Sequence, residues 1–260
     1  MQQKVIIFLF SALFSVCMQN SWADDNANSE NKESSVKPSQ TGTQTVTQPG
    51  AQTKILTHFK NVVLSGLGNL YIRQGKEQGL SVKTEAELLP LISAVVEDDT
   101  LKLDFKNAAE HSRAEVNYYL TIKDISSVIS YSSSTVYIDE GIETNTLTLE
   151  IKSFGDMVVK INVDKLIAKI EGAGKIRASG SARVQEIQIT GAGEFVGNDL
   201  IGQKASIDIE GTGVAKIKAQ DSLNIKIPKE GTVRYCGTPN ISKEVSAKAI
   251  IEALEVGQCK

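Results

Sequence analysis

The feature that most restricts the fold is a recurrence of paired glycines about twenty residues apart. Gly172/Gly174, Gly191/Gly193 and Gly211/Gly213 follow one another at spacings of 19 and 20. Gly155, 17 residues before Gly172, and Gly231, 20 after Gly211, carry the period on in degenerate form. Ahead of the pairs come Ala168/Ile170, Ile187/Ile189 and Ile207/Ile209, and behind them Ile176, Phe195 and Ala215 fall at one matching position. A fixed period of this length marks a solenoid in which each repeat makes one turn about a common axis. Equivalent strands then stack in parallel about 4.8 Å apart, like side chains pile up inside, and the chain turns at the same corner in every coil. Glycine suits that corner, because it accepts positive φ and close approach from the coils above and below.

The rest of the chain agrees with an all-β reading. Leu101-Lys102-Leu103-Asp104-Phe105, Leu147-Thr148-Leu149-Glu150-Ile151 and Ser206-Ile207-Asp208-Ile209-Glu210 alternate apolar and polar residues, as half-buried strands do. Glu97-Asp98-Asp99-Thr100 reads as a hairpin turn. Only Val245 to Leu254 admits a helix. A two-sheet antiparallel sandwich also alternates, but its turns vary in length, whereas these repeat. Five coils between about residues 135 and 235 would make a rod on the order of 24 Å long. Upstream, Gly66 and Gly68 precede Asn69-Leu70-Tyr71-Ile72 in the order of the later coils, so a second half of similar build is expected, joined near Asn107 to Glu115.

The N-terminus reads as an export signal. Lys4 is followed by an apolar run from Val5 to Val16 and by Ser21-Trp22-Ala23, a small-residue cleavage pattern. The run is short for a bilayer span, although a retained anchor is the alternative. Cys17 raises lipid attachment as another, against the poor match of Phe14-Ser15-Val16 to such processing. Losing residues 1–23 removes one positive charge and takes the formal balance from −3 to −4. A mildly acidic chain without a basic stripe argues against nucleic acid as a partner. Residues 24–54 are so polar that they are expected to remain a disordered tether or a solubilising tail. The chain thus divides into a signal peptide at 1–23, a polar linker at 24–54, an N-terminal β region at 55–115, and a β-helix with a C-terminal cap at 116–260.

Taken together, the Gly-x-Gly coils, Leu64-Ser65-Gly66-Leu67-Gly68-Asn69-Leu70, Leu88-Leu89-Pro90-Leu91-Ile92 leading into the Glu97 to Leu103 hairpin, and Leu120-Thr121-Ile122-Lys123-Asp124-Ile125-Ser126-Ser127 resemble the bacterial auto-transporter adhesin, head GIN domain family. The likeness runs from about residue 58 to 250. It implies a single-stranded, right-handed parallel β-helix of the pectin-lyase type, without catalytic machinery, whose inferred role is adhesion. The chain departs from the family pattern at Ser132-Ser133-Ser134 and Ala247-Lys248-Ala249, where Gly-Ser-Gly would be usual, so the first and last coils are expected to be irregular caps. No membrane-barrel sequence follows the repeats.

The residue types that carry chemistry offer little. Gly172-Ala173-Gly174-Lys175-Ile176-Arg177 lacks the third glycine of a dinucleotide fingerprint and opens a strand, not a helix. The glycines at 172, 174, 191, 193, 211 and 213 are therefore structural turns. His58 and His111 stand apart from each other and from cysteine, which gives no zinc spacing. Asp98 and Asp99 form the best acidic pair and are explained by their turn, while Glu171, Glu186, Asp208 and Glu210 fall on outward strand positions. No catalytic residue, cofactor or metal is expected. Cys236 and Cys259 bound a loop of about 22 residues; paired in an oxidising compartment they would contribute roughly 3 kcal/mol and pin the tail over the last coil, and otherwise they are two free thiols.

The expectation is a non-enzymatic, exported envelope protein of the periplasm or cell surface, with an adhesin-like binding or structural role toward a protein, a glycan or copies of itself. Two alternatives stand beside it: a lyase-like β-helical enzyme acting on polysaccharide, and a periplasmic assembly or stress factor.

Overall fold

A computed structural model describes residues 44–48 and 51–259. The described residues are 66% strand and 4% helix and wind into a β-solenoid of about 7 turns. Early in the chain come β1 (Gln44–Gln48), β2 (Ala51–Ile55), β3 (Asn61–Leu64), β4 (Asn69–Gln74) and β5 (Gly79–Lys83). A 3-10 turn at Ala86–Leu91 leads to β6 (Ile92–Glu97) and β7 (Thr100–Phe105), then β8 (Asn117–Ile122) and β9 (Ser127–Ser130). Three long strands follow, β10 (Thr135–Ile151), β11 (Asp156–Gly172) and β12 (Lys175–Gly191). Shorter ones complete the winding: β13 (Glu194–Ile201), β14 (Lys204–Gly211), β15 (Val214–Lys218), β16 (Ser222–Ile227), β17 (Glu230–Cys236), β18 (Asn240–Val245) and β19 (Lys248–Ala253).

From β10 onward each coil lies in parallel register on the one before. β11 and β12 pair from Asp156↔Lys175 through Gly172↔Gly191, a 19-residue step; β12 and β14 pair at 20, and β16 and β18 at 18. The register stacks Ile151, Ile170, Ile189 and Ile209 into one interior column, each at most 1% exposed. Ile176, Phe195 and Ala215 make a second column, all at 0%. Burying each isoleucine is worth about 1.5–3 kcal/mol, so columns of aliphatic residues, repeated coil by coil, are what hold the rod. The interior is filled by its own side chains.

The two glycines of a pair do different work. Gly172 and Gly191 have φ of +104° and +122°, in the left-handed region. Gly174 and Gly213 instead yield space: a Cβ there would lie 2.6 Å from Ile151 Cγ2 and 2.5 Å from Ile189 Cγ2, atoms of the isoleucine column itself. The degenerate members belong to this second column. Gly155 precedes the Asp156↔Lys175 pair and so aligns with Gly174, and Gly231 precedes Thr232↔Val214 and aligns with Gly213. Counting them from Gly172 and Gly211 matched them to the wrong member of the pair.

The N-terminal part departs from a simple winding. β3 lies between β7 and β9, and β4 between β8 and β10, all in parallel. The coil made by β3 and β4 is therefore flanked on both sides by coils from later in the chain. There is no seam at 115/116, because strands from both sides of that boundary alternate in one stack. The Ser132–Ser134 turn lies inside the stack rather than at a cap. Its hydroxyls replace glycine flexibility with hydrogen bonds: Ser132 Oγ to Ser134 Oγ at 2.9 Å, and Gly68 N–H to Ser134 Oγ at 3.1 Å.

Between β4 and β7 the chain runs over the end of the stack. β5 pairs antiparallel with β8, and β6 antiparallel with β7. The hairpin turn at Asp98 and Asp99 has φ of 48° and 58°, the two-residue primed turn that matches strand twist. Two expectations are corrected here. The polar segment expected to be disordered through residue 54 forms β1 and β2, with β2 on the free edge of β5. Edge pairing satisfies backbone groups without needing apolar side chains to bury. The helix admitted for Val245 to Leu254 is instead β19, because Gly231↔Ala249 through Tyr235↔Ala253 extend the column pattern and the neighbouring strand supplies the backbone partners. The signal peptide, Cys17 and most of the linker lie outside the described residues.

Candidate functional site

Alternation along three strands produces the most distinctive outer surface. Leu70, Tyr118 and Val136 point inward and are 0% exposed, so the residues after them, Tyr71, Tyr119 and Tyr137, point out. The registers Tyr71↔Tyr119 and Tyr137↔Tyr71 place the three on adjacent rungs. Their rings stack, with centroids 5.1 Å apart at 14° for Tyr71–Tyr119 and 4.9 Å apart at 9° for Tyr71–Tyr137. Lys83 Nζ lies 5.4 Å over the Tyr119 ring, within cation–π range. Burial and the neighbouring phenols push the Tyr71 hydroxyl pKa up.

The ladder lines a groove of about 890 Å³ together with Lys54, Arg73, Glu77, Asp139 and Glu140. Gln74 and Glu140 are shared with a second hollow of about 600 Å³, whose wall includes Ile201, 55% exposed. The two hollows adjoin at these shared residues. Gln74 sets that corner: its Oε1 accepts from Glu143 N–H at 2.9 Å and its Nε2 donates to Lys123 and Glu143 carbonyls. Arg73 Nε donates to Thr121 Oγ1 at 2.9 Å, which fixes the guanidinium beside the ladder. The charges lining the groove are mixed in sign.

The residues marked in the sequence are spread over the molecule. His58 Nε2 lies 3.5 Å from Asp124 Oδ2 and His111 packs edge-on against Phe105, each on its own. Among the described residues no group of three or more His, Cys, Asp or Glu is close enough to hold a metal ion. Glu171, Glu186 and Asp208 are paired with Lys152, Lys165 and Lys226 from adjacent coils. Glu194 bridges Lys175 at 2.5 Å and Lys216 at 3.0 Å; burial works to raise its pKa, and the two lysine contacts outweigh it and hold the carboxyl below the usual range. Cys236 and Cys259 are joined by a disulfide with Cα atoms 5.9 Å apart, tying the end of the described chain to β17. The tyrosine ladder was not singled out from sequence. Its members sit 48 and 66 residues apart from Tyr71, and only the out-of-order stacking of β8, β4 and β10 makes them neighbours.

The class the structure defines is a β-solenoid with an aromatic, mixed-charge groove on its outer wall. The chain belongs to the family described as "Putative auto-transporter adhesin, head GIN domain", whose model matches residues 58–239. A crystallised putative adhesin from Bacteroides fragilis NCTC 9343 is similar, with a TM-score of 0.72 at 20% identity over 78% of this chain and 96% of that one. A putative adhesin from Parabacteroides merdae ATCC 43184 gives 0.64 at 20%, covering 79% and 95%. A protein from Parabacteroides distasonis ATCC 8503 described as a putative lipid binding protein gives 0.63 at 19%, covering 79% and 97%. At these identities the likeness concerns the fold. Among curated proteins none matches this chain.

Proposed function

We propose that this protein is a non-catalytic, exported adhesin-like head that holds a surface glycan chain in the groove beside the tyrosine ladder. The stacked Tyr119–Tyr71–Tyr137 ladder carries the reading. Stacked on one another, the rings offer their edges and hydroxyl tips, which suit a ligand with apolar C–H groups and hydroxyls, and rigid rings bind at low entropic cost. Arg73, Asp139 and Glu140 offer donors and acceptors of both signs along the same wall. An open groove on the solenoid wall suits an extended polymer. A lipid would need an apolar cavity, and the interior columns fill the core. The family and the N-terminal signal pattern support export, with residues 1–23 as the signal peptide and the polar segment after them as a spacer from the envelope.

A panel of acidic and neutral glycans measured by calorimetry tests this. Replacing Tyr71, Tyr119 and Tyr137 by Ser together is expected to weaken binding tenfold or more, since it removes the aromatic contact surface of the groove wall. Binding to no glycan, or binding indifferent to the triple variant, overturns the groove assignment. Unsaturated products released from the acidic glycans would overturn the non-catalytic reading and favour the lyase-like one.

A further inference from the structure

The last coil ends in two strands whose outer edges no described strand covers, and the two edges are built differently. β18 pairs only with β16, and β19 only with β17. On β18 the interior register position opposite Ile225 is Lys243. An inward charge on an edge strand opposes pairing with another chain. β19 has no such guard. Its sequence from Lys248 reads Lys-Ala-Ile-Ile-Glu-Ala, with Ile250 facing out and 49% exposed.

We propose that β19 pairs antiparallel with β19 of a second copy, about a two-fold axis at Ile250. The charge pattern selects this register. On the outer face Lys248 Nζ meets Glu230 at 2.6 Å and Arg234 Nε meets Glu252 at 2.8 Å, one coil back. Centring the pair on Ile250 sets Lys248 against Glu252 of the second copy and Glu252 against its Lys248. Each outer column then reads Glu230, Lys248, Glu252, Arg234 across the junction, alternating in sign at every rung. Along the stack the outer charges already alternate in this way, in Lys152–Glu171, Lys175–Glu194 and Asp208–Lys226.

The backbone fits the same register. Leu254 N–H donates to Tyr235 C=O on β17, and alternation along a strand turns the peptide groups of Ile251 and Ala253 to the free edge. Ile251 N–H can then reach Ala249 C=O of the second copy, and the reciprocal bond follows from the two-fold. Ile250 faces its own counterpart in the non-hydrogen-bonded position, where Cα atoms approach to about 4.5 Å and side chains pack closest. Ala249 and Ile251 alternate at the seam to continue the core. One strand pair is a small interface, so the dimer is weak and concentration-dependent. It is also isologous and closed, which stops growth at two. Counting rungs of about 4.8 Å, the two tyrosine ladders would lie roughly 70 Å apart centre to centre, giving a bivalent head whose avidity exceeds that of one groove.

Sedimentation equilibrium of the purified protein, with an oxidative cross-linking series, tests the proposal. The native protein should pass from monomer to dimer as concentration rises and go no further. Ile250→Arg should weaken the dimer more than tenfold at an unchanged thermal midpoint. Ile250→Cys alone should give a covalent dimer on oxidation; Lys248→Cys alone should not, and an equimolar mixture of Lys248→Cys and Glu252→Cys should. The Cys pairs report on register even if the charge variants perturb the fold. A protein monomeric at every concentration, a dimer indifferent to Ile250→Arg, growth beyond two, or cross-linking through Lys248→Cys alone would each overturn it.

Discussion

The two ends of the solenoid solve one problem in opposite ways. At the N-terminal end β5 and β6 run antiparallel over the outermost coil, with β2 and β1 beyond β5, and the side chains beneath are sealed: Leu80, Leu101, Leu103 and Leu120 are at most 1% exposed. At the C-terminal end no described strand lies over the last coil. Ile241 follows Leu223 in an interior column, yet it is 42% exposed where Leu223 is 0%. The disulfide, Lys243 at an interior register position and salt bridges to the previous coil stand in for a covering layer. A parallel stack is thus stable at its end for two separate reasons, burial at one and tethering at the other. The C-terminal end is the one with strand edge left to offer.

Side-chain truncation should draw the contrast most sharply. Leu101→Ala is expected to cost about 3 kcal/mol, the range for a fully buried leucine, whereas Ile241→Ala should cost under about 1 kcal/mol because its site is already half open to water. Denaturant titration of both variants reads the difference, and equal costs would mean that the C-terminal end is covered by something else. Breaking the Cys236–Cys259 bond comes next, at roughly 3 kcal/mol for its loop length. Hydrogen exchange should show β19 losing protection first, with β4 and β8 little changed; uniform loss along the rod would deny the end a local role.

The smallest effect concerns neither end but the wall between them. Glu194→Gln is expected to lose about 1 kcal/mol at neutral pH, since a partly buried carboxylate between two lysines is worth somewhat more than an exposed pair. Because the folded carboxyl titrates below its unfolded value, that contribution is full above the unfolded pKa of about 4.3 and vanishes as pH falls through the folded one. Native protein and variant should therefore converge in thermal midpoint in acid. A gap persisting well below pH 4 would trace the loss to packing.

Much of the wall was legible because a solenoid writes its geometry into the chain at a fixed interval. Gly191 and Gly193, with Ile187 and Ile189 ahead of them, repeat Gly172/Gly174 with Ala168/Ile170 closely enough to give the coil length and the inward face. The periodicity failed where two columns were confused, at Gly155 and Gly231, since spacing cannot separate a glycine needed for positive φ from one needed for room. It failed again at β1, β2 and β19, where local composition argued for disorder or helix and a neighbouring edge supplied the hydrogen bonds. Gln185 is a further surprise. It occupies an interior position paired with Leu166 and Ala205, is 0% exposed, and donates through Nε2 to Lys218 C=O at 3.1 Å.

What the sequence alone determined is whatever repeats locally: an all-β solenoid, coils of about twenty residues, glycine corners and aliphatic columns, because each coil must match its neighbour and the match shows along the chain. What only the tertiary structure decided is the order in which coils stack. Strand pairing is indifferent to sequence distance, so the β3–β4 coil lies between two later ones. From that order come the tyrosine ladder, its groove and the unequal ends, features made by residues dozens of positions apart whose proximity no spacing records.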